Sequence, residues 1–329
     1  MTDLDISGKW DIADKTMNSI TLDKCTYYFD GELQEEDGYI LNVVERANAL
    51  EREVDIRCEF KVNIDSIPNK IYLGCETPDI FDIMINGERL DKTDCGYYRD
   101  ISIRLIDIAD KLKLGENIIE TRVLLKQSEK TYESIRNARH FETERNKLCY
   151  DMEIEAMYLV GDFGVNCNGV FKDAPLDSCS FNGSFSVGDD IKSVELSNIE
   201  QKGFPFFCGE ITFVRNYTLN HTDYKITFNK KGINVIKLKV NGREVKTILW
   251  APYEIDISEY LTVGENKIEI TIINNLRNLF GPHHNAHGEL WNVGNASFYK
   301  EDCVWTVYHE GGTPPPYTDN YSFVNTGIV

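Results

Sequence analysis

Basic residues are scarce in this chain relative to acidic ones. Its 329 residues include 35 Lys and Arg against 54 Asp and Glu, and the formal net charge is −19. Because phosphate groups are bound by clustered Lys and Arg, neither nucleic acid nor a membrane surface is expected as a partner. No apolar run is long enough to cross a bilayer, and the N-terminus lacks the basic and apolar regions of a signal peptide. A cytoplasmic location is therefore predicted.

Paired cysteine motifs are also missing. The nine cysteines are scattered along the chain and include no Cys-x-x-Cys pair. An odd number with irregular spacing is typical of reduced thiols rather than of a disulfide framework. The same spacing argues against a closed zinc site built from cysteine.

Motifs of common catalytic sites are absent as well. The sequence has no serine nucleophile elbow, no P-loop and no dinucleotide-binding glycine pattern. It also lacks the alternation of strands and helices that forms a catalytic barrel. Carboxylates are abundant enough for pairs to occur by chance, and none lies in a recognisable glycosidase setting. We therefore predict no catalytic residue in this chain.

What the chain does contain is a repeated β-strand pattern. Asn241–Gly242 follows an alternating run and suits a tight hairpin, because both residues tolerate positive φ. Gly264–Asn266 is a second turn, and another alternating run follows it. Asn86–Gly87 and Gly115–Asn117 occur in the same order earlier in the chain. A repeat at such a long spacing indicates two copies of one domain.

Residues 239–274 resemble the sugar-binding jelly-roll domain of β-galactosidase-type bacterial glycoside hydrolases. The likeness is carried by the Asn-Gly hairpin, the Asp256–Ser258 segment and the Gly-Glu-Asn turn. Residues 203–217 are similar to the start of the same domain, and residues 55–165 are similar more loosely. The resemblance implies two tandem galactose-binding-like jelly rolls, as found in the C-terminal region of a large glycosidase-like protein. It implies little about function, because one fold hosts many functions.

The predicted fold class is all-β, with two tandem β-sandwiches and a short helical insertion. The helix is predicted within 127–147, where charged residues break the β pattern and place Tyr132 and Ile135 on one helical face. The predicted organisation is a lead-in at 1–20, a first module at 21–165, a structured join at 166–200, and a second module with a C-terminal extension at 201–329.

A polar loop near the C-terminus carries the histidines that are candidates for metal binding. His283, His284 and His287 lie close together, and Glu289 follows them. Three histidines and a carboxylate are enough ligands for zinc, although the loop lacks the spacing of closed zinc motifs. Two alternatives stay open: the histidines hydrogen-bond the backbone, or they line a polar pocket. An acidic cluster offers a calcium site as an alternative to a solvated face. Its members are Glu142, Glu144, Asp151, Glu153 and Glu155.

Carbohydrate recognition requires an aromatic face for the C–H surface of a sugar and planar polar side chains for its hydroxyls. The segment Trp250–Tyr253 contains a proline, which is excluded from a central strand, so we predict a loop that displays aromatic surface. The alternative is that both aromatics fill the core. The predicted ligand-binding residues are Trp250, Tyr253, Arg277, Asn278, His283, His284, Glu289 and Trp291.

Three functions are compatible with this sequence. The first is a non-catalytic carbohydrate-binding or ancillary module of a glycoside hydrolase system, with carbohydrate as its partner. The second is a subunit of a split glycosidase, whose histidine-rich loop completes the active site of a catalytic chain. The third is a structural assembly module. None of these requires a cofactor beyond a structural calcium or zinc ion.

Overall fold

The computed structural model describes residues 1–138, 140, 142–145, 147–285, 289, 298–301, 304–307 and 318–328. Regular structure in these residues is almost entirely β-strand, arranged in several sheets, and the all-β prediction is confirmed. Within them, no helix is both long and apolar enough to cross a membrane. Cys25, Cys58, Cys75, Cys95, Cys149, Cys167 and Cys179 are thiols, as predicted.

The strands are numbered in chain order. The first thirteen are β1 Thr2–Asp3, β2 Lys9–Lys15, β3 Asn18–Leu22, β4 Lys24–Phe29, β5 Glu32–Tyr39, β6 Val54–Ile64, β7 Ile71–Glu76, β8 Asp82–Ile85, β9 Glu88–Arg89, β10 Asp94–Tyr98, β11 Asp100–Asp107, β12 Gly115–Leu125 and β13 Met157–Gly161. The others are β14 Gly164–Ala174, β15 Ser178–Gly188, β16 Ser193–Glu195, β17 Glu210–Leu219, β18 Tyr224–Thr227, β19 Lys230–Lys231, β20 Ile233–Val240, β21 Arg243–Ile248, β22 Glu254–Asp256, β23 Gly264–Asn274, β24 Phe298–Glu301, β25 Val304–Val307, β26 Tyr321–Val324 and β27 Gly327–Ile328.

The α-helices are short. They are α1 Ile40–Asn48, α2 Glu129–Ala138, α3 Glu142–Arg145 and α4 Arg277–Phe280, and 3-10 turns occupy Pro78–Ile80, Ala109–Lys111, Ile199–Gln201 and Ser258–Tyr260. Helices α2 and α3 confirm the predicted insertion, and Tyr132 and Ile135 are buried on one face of α2. Helix α1 was not predicted, although Ile40, Val43, Val44 and Ala47 have helical spacing and are buried.

The chain divides into two compact units. Unit A consists of Thr21–Gly161 and Trp291–Pro316, and unit B consists of Met1–Ile20, Asp162–Leu290 and Tyr317–Val329. Residues 1–20 and 166–200 thus belong to the same unit as most of 201–329. The predicted division into a lead-in, a first module, a structured join and a second module stays a prediction.

Unit A contains two antiparallel sheets. One has the order β5-β4-β6-β12-β8-β9, and the other has the order β10-β11-β7-β13. Strand β6 shows why the chain folds this way, because its alternate residues from Val54 to Ile64 are buried and those between them are exposed or half-buried. One face of the β6-β12-β8 sheet therefore covers the core and the other faces solvent.

Unit B is organised around a six-stranded sheet with the order β16-β2-β17-β23-β20-β21. Strand β2 lies between β16 and β17, so the lead-in contributes an internal strand of this sheet. Trp10 on β2 is 1% exposed and packs in the core of unit B. Strand β26, near the other terminus, pairs with β15, so the Tyr321–Val324 segment docks on the same unit.

The predicted repeat is present in atomic detail in both units. In unit A, Asn86 Nδ2 donates to Asn117 Oδ1 at 2.8 Å, and Asn117 Nδ2 donates to the carbonyls of Lys113 and Gly115 at 2.7 and 3.0 Å. The hairpin residues Asn86 and Gly87 have φ values of 53° and 82°. Because both values are positive, this is the turn that Asn-Gly favours.

Unit B contains the same arrangement. Asn241 Nδ2 donates to Asn266 Oδ1 at 2.9 Å, and Asn266 Nδ2 donates to the carbonyls of Thr262 and Gly264 at 2.7 and 3.0 Å. Asn241 and Gly242 have φ values of 51° and 77°. In each copy a buried asparagine thus ties the hairpin to the following loop through its own side chain.

Candidate functional site

One end of the six-stranded sheet in unit B brings together residues that are distant in the sequence. The register pairs Ile248 at the end of β21 with Ile236, and Ile233 at the start of β20 with Asn274 at the end of β23. The loops that follow β21 and β23 therefore leave the sheet at the same end. Because β20 lies between them, these two strands are about 10 Å apart.

The loop after β21 exposes an aromatic side chain. Trp250 is 74% exposed, and Leu249 beside it is 48% exposed. The prediction of a loop that displays aromatic surface is confirmed for Trp250, which does not fill the core. Whether it binds a ligand stays a prediction.

Tyr253, at the other end of this loop, is only half-buried and packs against the core of unit B. Its carbonyl accepts a hydrogen bond from the Phe228 amide at 2.8 Å. The Lys230 ammonium lies 5.0 Å from the centroid of the Tyr253 ring and donates to the Leu249 carbonyl at 3.1 Å. Lys230 thus holds both ends of the loop and adds a positive charge to it, a role that sequence analysis missed because a lone lysine carries no motif.

The loop after β23 begins with α4 and contains a half-buried ion pair. The side chain of Asn275 accepts a hydrogen bond from the Arg277 amide at 3.0 Å, and Arg277 Nε donates to Glu289 Oε2 at 2.7 Å. The two side chains are 14% and 22% exposed. Burial lowers the pKa of the Arg277 guanidinium, and the Glu289 carboxylate opposes that shift. Among the described residues, no acceptor meets Nη1 or Nη2 of Arg277.

Asn278 is buried and fixes strand β26 of the unit. Its Nδ2 donates to the Val324 carbonyl at 2.9 Å, and its Oδ1 accepts from the Val324 amide at 2.8 Å. Both hydrogen-bonding functions of the amide thus act on β26. This pairing gives Asn278 a structural role, independent of any ligand.

The two described histidines of the polar loop are buried against aromatic rings. His283 Nε2 is 2.9 Å from the Asn278 carbonyl, and His284 Nδ1 is 3.1 Å from the Thr318 carbonyl. Their exposures are 6% and 4%, and the His283 ring lies edge-on to Phe206 at 5.3 Å. These contacts are the backbone-bonding arrangement that sequence analysis kept open.

The predicted metal site at His283, His284 and His287 is not tested, because one of its three ligands is outside the described residues. His287 and Trp291 lie outside the described residues. Within the described part of the chain, no group of three or more His, Cys, Asp or Glu side chains could hold a metal ion. In the acidic cluster, Asp151 Oδ2 accepts from the Ser128 amide at 2.7 Å, and Glu144 pairs with Lys147 at 3.0 Å.

Comparison with known proteins gives one partial sequence match. No protein-family model matches the chain. A putative β-glucuronidase of Formosa agariphila is 26% identical over 91 residues, which are 26% of this chain and 8% of that protein. The chain therefore spans a small part of the curated relative that it matches.

Solved structures of glycosidases align with the chain at low similarity. A β-D-mannosidase from Dictyoglomus thermophilum has 13% identity and a TM-score of 0.29, with 78% of this chain and 31% of that chain covered. A β-glucuronidase from Ruminococcus gnavus has 13% identity and a TM-score of 0.31, with 97% and 45% covered. An α-L-rhamnosidase from Streptomyces avermitilis has 9% identity and a TM-score of 0.30, with 82% and 25% covered. Likeness at this level does not establish a common activity.

Proposed function

We propose that this chain is a non-catalytic carbohydrate-binding module that serves a glycoside hydrolase system. The exposed indole of Trp250, 74% accessible on the loop after β21, is the observation that carries the proposal. The partial match to a putative β-glucuronidase supports the link to glycosidases. The chain covers only 8% of that protein, which suits an ancillary part rather than a whole enzyme.

The binding mode follows from the chemistry of the loop. An aromatic face attracts the C–H surface of a pyranose ring through dispersion and hydrophobic contact. Lys230 lies beside Tyr253 at the same loop and offers N–H donors to sugar hydroxyls. Arg277 and Glu289, at the same end of the sheet, are further polar candidates for a longer saccharide.

The split-glycosidase alternative receives less support. It needs histidines that a partner chain can reach, whereas His283 and His284 are buried and bonded to backbone carbonyls. An assembly module would use exposed apolar side chains such as Leu249 and Trp250 for contact with protein instead of sugar. The experiment below separates this use of Trp250 from saccharide binding.

The test is calorimetric titration of the full chain with a panel of plant and bacterial oligosaccharides. We expect binding that Trp250→Ala weakens by at least tenfold, which corresponds to about 1.4 kcal/mol. Tyr97→Ala is the matched control, because Tyr97 is another exposed aromatic, at 59%, in unit A. Equal losses in both variants, or no binding across the panel, would contradict the proposal, and concentration-dependent self-association lost in Trp250→Ala would favour assembly.

A further inference from the structure

The solvent face of the β6-β12-β8 sheet in unit A carries a cavity that the proposed function does not use. Its volume is about 330 Å³, close to the lower bound for small-molecule sites and therefore suited to a ligand of one ring. The residues that matter for its chemistry are Glu59, Met84, Lys113, Glu116, Ile118 and Glu120.

The floor of this cavity is apolar. Met84 on β8 and Ile118 on β12 occupy outward positions, between residues whose side chains enter the core. Ile118 is 37% exposed, and Met84 is half-buried. Met84 and Ile118 thus place apolar surface on the solvent face of the sheet, where the outward positions on either side of Ile118 on β12 are Glu116 and Glu120.

The walls provide fixed hydrogen-bond acceptors. Glu59 and Glu120 face each other across β6 and β12 in register. Arg57 Nη1 lies 3.1 Å from Glu59 and 3.6 Å from Glu120, and its guanidinium stacks over the Tyr28 ring at 3.9 Å. Arg57 therefore holds both carboxylates in place and offsets part of their charge, while each carboxylate still has oxygen lone pairs for further donors.

The other copy of the repeat lacks this floor. Aligning Asn86 with Asn241 and Asn117 with Asn266 places Lys239 where unit A has Met84, and Lys267 where it has Ile118. Lys267 Nζ instead pairs with Glu269 at 2.9 Å. The same backbone therefore tolerates lysine at both positions, so the apolar pair is not required for folding of the motif.

We propose that this cavity is a second carbohydrate site, for a single neutral sugar ring. The Met84–Ile118 floor takes the C–H face of the ring, and Glu59 and Glu120 accept hydrogen bonds from its hydroxyls. Three glutamates outnumber the two cations beside them, Lys113 and Arg57, so the site is negative and disfavours a uronate, whose carboxylate it repels. This site is in unit A and its residues are separate from the Trp250 loop, so either site can exist without the other.

The experiment follows the methyl groups of the floor. The full chain, labelled with carbon-13 at Met and Ile methyls, is titrated with the methyl glycosides of glucose, galactose and mannose, and separately with glucuronate. We expect shifts of the Met84 and Ile118 methyls with at least one neutral glycoside, and at least tenfold weaker binding of glucuronate. No methyl shift with any neutral glycoside, or equally tight binding of glucuronate, would overturn the proposal.

Three variants make the test specific. Ile118→Lys introduces the residue that the other copy uses, so the fold is retained, and we expect the Met84 shift to disappear. Ile118→Val keeps the apolar floor, so the Met84 shift should be retained in this variant. Trp250→Ala should leave the Met84 and Ile118 shifts unchanged, which separates this site from the proposed one. Shifts that persist in Ile118→Lys, or that vanish in Trp250→Ala, would contradict an independent site at this cavity.

Discussion

The two copies of the Asn-Gly motif share a skeleton and differ in what they present to solvent. The lengths of the matching hydrogen bonds around Asn117 and Asn266 agree to within about 0.1 Å. For example, Asn117 Nδ2 donates to the Lys113 carbonyl at 2.7 Å, and Asn266 Nδ2 donates to the Thr262 carbonyl at 2.7 Å. After the hairpin, unit A continues into the β10–β11 pair, whereas unit B has the short loop with Trp250. The comparison teaches that buried polar contacts define the fold, while the segment between them is free to vary.

The largest effect is expected where the copies are alike. Asn117 and Asn266 are 0% and 2% exposed, and each side chain bonds the turn before it and the hairpin opposite. Replacing either by alanine removes at least four side-chain hydrogen bonds, so the free energy of unfolding should fall by about 3 kcal/mol. Chemical denaturation of each variant measures this loss of free energy. A loss in one copy without a similar loss in the other would break the equivalence.

The next largest effect is a pH dependence of the stability of unit B, which is caused by a buried glutamate. Glu200 is 0% exposed, and burial raises its pKa to about 7. Its Oε2 accepts from the Thr326 amide at 2.8 Å. The folded state holds the Glu200 proton more tightly than the unfolded state. Protonated Glu200 therefore contributes to the free energy of unfolding fully below about pH 4.5, and this contribution is lost as pH rises to about 7.

Glu200→Gln removes this dependence and keeps an acceptor for Thr326. We expect the variant to be more stable than the parent at pH 8 by up to about 3 kcal/mol, and about equal to it at pH 4. Thermal unfolding across pH 4 to 8 measures the difference. An identical pH profile for parent and variant would show that Glu200 does not titrate in this range.

A smaller and equal effect is expected at the two hairpin glycines. Gly87 and Gly242 have φ values of 82° and 77°, and an added Cβ would meet nothing within 4 Å at either position. Substitution by alanine therefore costs only backbone strain, about 1 kcal/mol at each site. Denaturation of the two single variants should give the same loss, and a difference of more than twofold would argue that the turns are not equivalent.

The smallest effect on stability is expected at the positions where the copies differ. Ile118→Lys in unit A and Lys267→Ile in unit B exchange the residues at matching places on the solvent faces. Each should change the free energy of unfolding by no more than about 0.5 kcal/mol, because neither side chain enters the core. A large loss from Ile118→Lys would mean that Ile118 is needed for packing rather than for binding.

The repeat, the all-β class and the helical insertion could be predicted because each has a local signal. Asn-Gly and Gly-Glu-Asn turns specify backbone conformation directly, and alternation specifies the buried face. The pattern is less reliable at element ends: the run from Met152 to Val160 fits a strand, but β13 begins only at Met157. Gln127 Oε1 accepts from the Asp151 amide at 2.8 Å, and Gln127 Nε2 donates to the Met152 carbonyl at 2.7 Å. A side chain distant in the sequence thus satisfies backbone groups that a sheet would otherwise use.

The candidate site was harder to predict, because exposure and burial depend on tertiary packing. Trp250 and His283 were both predicted as ligand-binding residues from their residue type and their position in a predicted loop. Trp250 faces solvent, whereas His283 is buried against Phe206. Met84 and Ile118 were overlooked, although their apolar character at outward strand positions was a usable signal once the register was known.

The most direct test of the central claim observes Trp250 itself. The chain has four tryptophans, so the indole N–H signals can be resolved and assigned with Trp250→Phe. On addition of a saccharide from the oligosaccharide panel, we predict a saturable shift of the Trp250 indole signal, while the buried Trp10 signal stays in place. If the Trp250 signal does not move with any saccharide of the panel, the proposal that this loop binds carbohydrate is contradicted.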